Sequence, residues 1–539
     1  MALPLVTEFS QEALDYAETF RIPGGTWQLK VPQADALYSI HKFGGLIGVL
    51  GVGVGKTLIA WLAGRAAEAQ TVVILMRPPD VKSYEKEIET YRHHFSPGSC
   101  QIIVIPYSKL SDPRFGEILD EIAPDLIVAD EAQTLMGDST RAKRFWRYRE
   151  EHPETTLVAM SGTMIKGSVA NAAELSEFAL GVRSPLPHRG SHLETWQHVL
   201  DPKGMGTADE MSWFHERVVK PMGVDPNEFS RQEAARLAAG RRFVQSQGVV
   251  FTPAASTDLP LEIHRVSVPM PPELQDLIDA VKKNRVTPDG EDVIWTDMQA
   301  ATVSRMVASG FYTRWKWEDV PGGRDEEWLA RRSAWGRSLT GELRSNSRKG
   351  YDSPKLIGDY VLAEAILDKK MVERSTLHFN RWAWGEVEHR MVPETVPVWL
   401  NTFLVDYAIE TYKDEPVIFW YSHQAIEQEF IRRGVPVYGS GTFLDGPARQ
   451  VAASIAVHGT GRNLQDWNHA VVLEHPTDGV AWEQLLGRLH RQGQTRPVRF
   501  DLLITHDSTK SAIRSAIENA KFIQSMQMTP QRLLTATWV

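Results

Sequence analysis

The sequence predicts an α/β protein with two parallel sheets and a largely helical region between them. Three observations carry that prediction. Short apolar runs recur with helical stretches between most of them, the pattern of parallel sheets covered by helices. This rhythm fades between residues 181 and 350 and returns after about 350. The first run leads into a glycine-rich turn and then an alanine-rich helix, the order in which such a sheet presents a phosphate cradle. The expected units are therefore 1–180, a mostly helical insertion or linker at 181–350, and 351–539.

The apolar run at 46–50 is the first expected strand, and a helix should follow from Thr57. Between them lie Gly51, Gly53 and Gly55, then Lys56. Glycines let backbone N–H groups close on phosphates, and a lysine at this place reaches the β/γ-phosphates while the next hydroxyl, Thr57, ligates Mg²⁺. The strict motif wants a glycine where this chain has Leu50. Upstream, Gln33 lies on a short predicted helix, where its amide could read the edge of adenine or simply face solvent.

Further strands are expected at 71–76, 101–105, 125–130 and 155–160, with helices at 83–92 and 114–121. Functional groups gather at the carboxyl ends of parallel strands. Asp130 and Glu131 stand at such an end: Asp130 can hold Mg²⁺ through water, and Glu131 can deprotonate the attacking water. An acidic pair there can also be no more than a helix cap and first-turn acid. Ser161-Gly-Thr163 ends the next strand.

The middle of the chain carries turn residues around 184–187 and 202–206 and a helix near 230–239. Aromatic and basic residues mix at 311–317 and 328–350. Arg331, Arg332, Arg337, Arg344, Arg348 and Lys349 make the second stretch a candidate for phosphate contact and base stacking. The other reading is a solvated basic face over an aromatic core.

In the last third, a helix is expected at 399–412 and strands at 416–421, 451–457, 469–474 and 498–504. This sheet has no phosphate loop of its own. It carries Gly459-Thr-Gly-Arg-Asn-Leu-Gln465, and then Gln484 through Gln494 with Arg488 and Arg491. Those two arginines would share one face of a helix and could meet the γ-phosphate held by the first sheet.

Composition sets outer limits. The 539 residues are 42% hydrophobic and 24% charged, as in an ordinary globular chain. One cysteine, Cys100, excludes an intramolecular disulfide and a cysteine-rich zinc site, in keeping with a reducing cytoplasm. No leader peptide and no membrane span are expected. The net charge of −9 gives no global attraction to nucleic acid, so any such contact must be local.

Taken in order, Gln33, Lys56-Thr57, Asp130-Glu131-Ala-Gln133, Ser161-Gly-Thr163, the 459–465 motif and Gln484-x-x-Gly-Arg488-x-His-Arg491-x-Gly-Gln494 resemble the motif series of superfamily-two helicase motors. The closest likeness is to the Swi/Snf-type branch, whose last motif has the same Gly-Arg-x-His-Arg-x-Gly-Gln pattern. The segments Pro78-Pro79 to Glu87 and Ser353-Pro-Lys-Leu356 are similar to two further segments of that branch. The likeness covers about 30–180 and 350–510. It implies two RecA-like lobes, ATP and Mg²⁺ in the cleft, and nucleic acid, duplex DNA above all, across both lobes. It further implies coupling roles for Gln133, Ser161, Thr163, Gly461, Asn463 and Gln484, and adenine contact for Gln33 beside phosphate contact from Gly53 and Gly55. Gln133 stands where the branch has histidine, giving a DEAQ box, and Met164 stands where it has proline. The expected activity is an ATP-dependent DNA translocase. A strand-separating DNA or RNA helicase and a motor subunit of a larger complex are the alternatives, and the compact build resembles prokaryotic or bacteriophage members.

Overall fold

A computed structural model describes residues 10–51, 53–112, 117–137, 139–187, 190–225, 227–252, 257–317, 323–345, 354–390, 393–438, 449–458 and 464–539. The first sheet contains β1 (Leu46–Leu50), β2 (Thr71–Met76), β3 (Gln101–Pro106), β4 (Leu126–Asp130), β5 (Thr156–Ser161) and β6 (Val249–Thr252). All its pairings are parallel, in the order β3-β2-β4-β5-β1-β6. Parallel strands are covered by helices on both faces, so they read as unbroken apolar runs. The residues of β1, and Leu126 to Ala129 of β4, are all buried.

Helices Val31–Phe43, Lys56–Ala66 and Val81–Tyr91 cover one face through Leu37, Ile40, Leu58, Ile59, Leu62 and Ile88. Helices Thr140–Glu151, Val169–Leu180 and Arg231–Val244 cover the other through Phe145, Tyr148, Phe178 and Phe243. The last of these starts with a capping box, in which Ser230 and Glu233 exchange backbone and side-chain hydrogen bonds.

The second sheet begins earlier than the sequence suggests. β7 (Leu261–Ser267) already belongs to it. After an excursion through β8 (Phe311–Lys316) and β9 (Glu394–Trp399), it continues with β10 (Val417–Tyr421), β11 (Val437–Tyr438), β12 (Gln450–Ser454), β13 (His469–Val472), β14 (Val498–Ile504) and β15 (Thr537–Trp538). These too pair in parallel, in the order β11-β12-β10-β13-β14-β7-β15. Trp482, Leu485 and Ile513 pack on one face, and Leu404, Val405, Ile426 and Phe430 on the other.

The stretch 181–350 is thus not a separate helical insertion: it supplies β6 to the first sheet and β7 to the second. The excursion between β7 and β10 is an antiparallel pair, β8 with β9, surrounded by helices. Two smaller expectations also change. Trp399 closes β9, where it pairs with Phe311, and the helix starts only at Phe403. Strand β12 ends at Ser454, and residues Ile455–His458 turn helical.

The excursion explains the basic and aromatic stretch. Trp317, Trp328 and Trp335 are buried there, with Trp315 and Trp384 packed against them. Arg332 lies over the rings of Trp295, Trp315 and Trp328 at 4.7, 5.4 and 5.6 Å and pairs with Asp292. Arg331 pairs with Glu327 at 2.7 Å and donates to the Ala383 carbonyl. In this structure both arginines are engaged in internal contacts, the arrangement expected of a basic face over an aromatic core. Arg337 is exposed. The Arg344 side chain, Arg348 and Lys349 lie outside the described residues.

The two sheets are joined by the long helix Asp507–Gln527. Its Phe522, Ile523 and Met526 enter the core of the first sheet, although the helix follows β14 of the second. Gly240 makes this crossing possible: a Cβ there would sit 2.2 Å from the Ser525 carbonyl oxygen. Among the described residues, no helix is long and apolar enough to cross a membrane.

Candidate active site between the two sheets

The turn after β1 places Gly53 and Gly55 at φ 87° and 88°, a left-handed backbone that only glycine enters freely. Lys56 opens the next helix and points its ammonium back across the turn. It pairs with Glu131 at 2.9 Å. Gln33 buttresses this loop: its Nε2 donates to the Val54 carbonyl at 2.9 Å and its Oε1 accepts from the Lys30 N–H at 2.9 Å. A Cβ on Gly55 would meet that Nε2 at 2.3 Å. Both ends of the Gln33 amide are thus engaged by the protein, and Gln33 does not line the cavity described below. In this structure Gln33 braces the loop.

Asp130 and Glu131 stand at the carboxyl end of β4, as their spacing suggests. Glu131 has a left-handed backbone, φ 55°, which turns its carboxylate toward Lys56. Its other oxygen accepts from Gln133 Nε2 at 2.8 Å. Burial alone would raise the Glu131 pKa, but Lys56 and the Gln133 hydrogen bond outweigh it and bring it down to about 2. The reverse holds next door. Burial, with Lys56 pulling down and Glu131 and Asp80 pushing up, raises the Asp130 carboxyl to about 6. Burial also works against the Lys56 ammonium, yet Glu131 and Asp130 hold its pKa above the ordinary lysine value. The site therefore has one firmly ionised carboxylate and one buried carboxyl short of positive charge.

A cavity of about 240 Å³ opens between the sheets. From the first sheet it is lined by Gly51, Gly53, Lys56, Glu131, Gly162 and Thr163. From the second come Glu483, Gln484, Gly487, Arg488, Arg491 and Gln492. Arg488 and Arg491 do not lie on a helix as their spacing suggests. The helix Gly479–Leu486 ends before them, and they occupy the turns that follow, where Arg488 N–H donates to the Leu485 carbonyl at 3.1 Å. Both still reach the cavity. Arg488 is buried. Desolvation, together with Arg491 and Arg77, pulls its pKa down to about 9. A polyanion entering the cavity would relieve that mutual repulsion.

Thr57 and Asp130 line a second cavity, of about 170 Å³, on the far side of Glu131. Arg77, Asp80, Ser83 and Tyr84 complete it, and the buried Tyr84 hydroxyl has no hydrogen-bond partner. An oxygen-rich wall of Thr57, Asp130 and Asp80 fits a hydrated Mg²⁺, a hard cation that keeps several waters. The sequence reading missed Arg77, which pairs with Asp80 at 2.7 Å. It lies just past β2 and belongs to no phosphate motif.

Ser161 is fully buried and accepts from the Thr163 N–H at 2.8 Å, so this pair shapes the loop that faces the cavity. Met164, next in line, donates its N–H to Gln527 of the joining helix at 2.6 Å. Gly461 and Asn463 lie outside the described residues. The reading also missed Thr529, Gln531 and Arg532, which line the main cavity from the C-terminal stretch. The main cavity thus brings together a lysine, an ionised carboxylate and the Arg488 and Arg491 guanidiniums. Neither a family model nor a curated protein matches this chain.

Proposed function

We propose that the protein is an ATP-dependent DNA translocase, a helicase-like motor that hydrolyses ATP between two RecA-like lobes. The observation that carries this reading is the single cavity lined by Lys56 and Glu131 from one sheet and by Arg488 and Arg491 from the other. Phosphates arriving there compete with Glu131 for the Lys56 ammonium. As Lys56 turns to them, Glu131 becomes free to take a proton from water, with Gln133 holding it in orientation. Arg488 and Arg491 then neutralise the charge that spreads over the transferred phosphoryl group. Thr57 and, through water, Asp130 would hold Mg²⁺, which would supply positive charge against the phosphates.

The likeness of the 459–465 and 484–494 motifs to the Swi/Snf-type branch supports duplex DNA as the track, running across both lobes. The test is phosphate release with no nucleic acid, duplex DNA, single-stranded DNA and RNA, using wild type and Lys56→Ala. The expected result is greatest stimulation by duplex DNA and no turnover in Lys56→Ala. Stimulation by single strands or RNA alone would replace the translocase by a strand-separating helicase. Full turnover in a folded Lys56→Ala protein would remove the phosphate site itself.

A further inference from the structure

The stretch after the joining helix carries no motif, yet Thr529, Gln531 and Arg532 line the cavity. We infer that Arg532 is a positioning residue for hydrolysis: with Gln527 it forms a strap that holds the arginine-bearing turn in place and keeps Glu483 away from Arg488 and Arg491. The inference rests on the ATPase reading of this cavity.

Arg532 is only 7% exposed. Its guanidinium pairs with one oxygen of Glu483, and its own backbone N–H donates to the other at 2.6 Å. Its Nε donates to the His490 carbonyl at 3.0 Å. Glu483 lies on the helix before the turn, and His490 lies between Arg488 and Arg491. One side chain therefore ties down both the start and the middle of the turn that carries the two cations. The turn is not helical, and the His490 ring on the Leu259 carbonyl at 2.7 Å and Gln494 on the Leu489 carbonyl at 3.2 Å hold it alongside this anchor.

The charge balance argues the same way. Glu483, Arg488, Arg491 and Arg532 all line the cavity. With Arg532 in place, Glu483 is already neutralised by a cation from outside the arginine turn. Without the Arg532 guanidinium, Glu483 keeps only the backbone N–H of residue 532, a weak counterpart for a half-buried carboxylate that lines the same cavity as Arg488 and Arg491. A buried charge left uncompensated captures whatever opposite charge it can reach.

The strap also has a far end. Gln527 is fully buried, accepts from the Met164 N–H at 2.6 Å and donates to the Ile165 carbonyl at 3.3 Å. Those residues follow Ser161-Gly-Thr163 on the first sheet. Alongside, Lys166 pairs at 2.7 Å with Asp478, which caps the helix carrying Glu483 and Gln484. Within six residues the chain thus runs from the loop beyond β5 of the first sheet to the arginine turn of the second.

The experiment compares wild type, Arg532→Ala, Arg532→Lys and the double variant Arg532→Ala/Glu483→Gln. It measures kcat, ATP affinity and melting temperature. Arg532→Ala should lower kcat by about 10²-fold, the cost of a misplaced catalytic group, with ATP affinity within about threefold. Arg532→Lys keeps the charge but loses the forked geometry, so its kcat should fall between those of wild type and the alanine variant. The double variant should regain about tenfold over Arg532→Ala, because the stray carboxylate is gone. A purely structural role for Arg532 would instead lower melting temperature and ATP affinity together with kcat. Wild-type kcat in Arg532→Ala overturns the inference, as does a double variant no faster than the single one. Loss of ATP affinity with kcat kept also overturns it, since Arg532 would then be a ligand-binding group. Should the alanine variant not fold, the lysine variant decides: wild-type kcat there overturns the strap. A wild type that turns over no nucleotide would sink the ATPase reading itself.

Discussion

In the proposed reaction the chemistry turns on Glu131. A left-handed backbone costs a non-glycine residue about 1–2 kcal/mol, and such strain gathers at functional sites. Here it sets one carboxylate oxygen on Lys56 and the other on Gln133. Glu131→Gln should leave nucleotide binding intact or slightly tighter, because Lys56 loses its internal partner, while hydrolysis slows by about 10²–10⁴-fold. Equilibrium binding of a fluorescent ATP analogue beside phosphate release checks this. Lost binding in a folded variant would make Glu131 structural. Lys56, Thr57, Asp130 and Glu131 were legible in the sequence because a strand end and a glycine turn fix their surroundings locally. Gln33 was legible only as a position, since its partner Val54 is set by how the first helix packs on the loop. Arg77 and Arg532 were not legible at all: their nearness to the cavity depends on tertiary closure, not on neighbours in sequence.

Among the elements, the crossing of Arg231–Val244 with Asp507–Gln527 is the tightest joint between the sheets. Gly240→Ala would gain about 1 kcal/mol of helix propensity, but its Cβ would strike the Ser525 backbone. Overpacking of this kind costs about 1–3 kcal/mol, so the expected net effect is destabilisation, read by urea unfolding. A more stable variant would mean the two helices part easily. A second bracket lies at the carboxyl ends of β10 and β13. Glu474 accepts from the Ser422 and His423 backbone N–H groups at 2.7 and 2.8 Å and from the His423 ring at 2.6 Å. The hydrogen bond that the His423 ring donates to Glu474 raises the His423 pKa above its ordinary 6.5, against burial and Arg305. Its stabilisation is therefore full below pH 6.5 and lost as pH rises through the raised value. His423→Gln should lower the melting temperature at about pH 6 by on the order of 1 °C, and less at about pH 9. An equal drop at both values would contradict the pairing. Strands β1 to β5, β10, β12, β13 and β14 were legible as apolar runs, whereas β6, β11 and β15 offer apolar runs too short to stand out and β7 alternates buried and partly exposed residues along Leu261–Ser267. The helix after β9 was drawn too long because Trp399 looks equally at home in either element, and only its pairing with Phe311 decides.

At the scale of the whole molecule, the two parallel sheets were foreseeable, but the place where the chain passes between them was not. It crosses between β6 and β7, well before residue 350, and the joining helix returns to the first sheet after β14. No local signal marks such a return, because Phe522, Ile523 and Met526 would look the same buried against either sheet. The consequence is mechanical. Lys56 and Glu131 sit on one sheet, Arg488 and Arg491 on the other, and contacts such as Lys166 with Asp478 span the gap. If hydrolysis needs both halves, its rate follows the closing of the cleft, and a polymer bound across both lobes can drive that closing. The most direct measurement is steady-state ATPase of wild type, Arg488→Ala and Arg491→Ala with and without duplex DNA, beside nucleotide affinity. An arginine of this kind is worth about 10³–10⁵ in rate, so each variant should lose kcat by orders of magnitude, keep most of its ATP affinity and gain almost nothing from DNA. Full DNA-stimulated turnover in both variants would contradict the account, because the second sheet would then take no part in the chemistry.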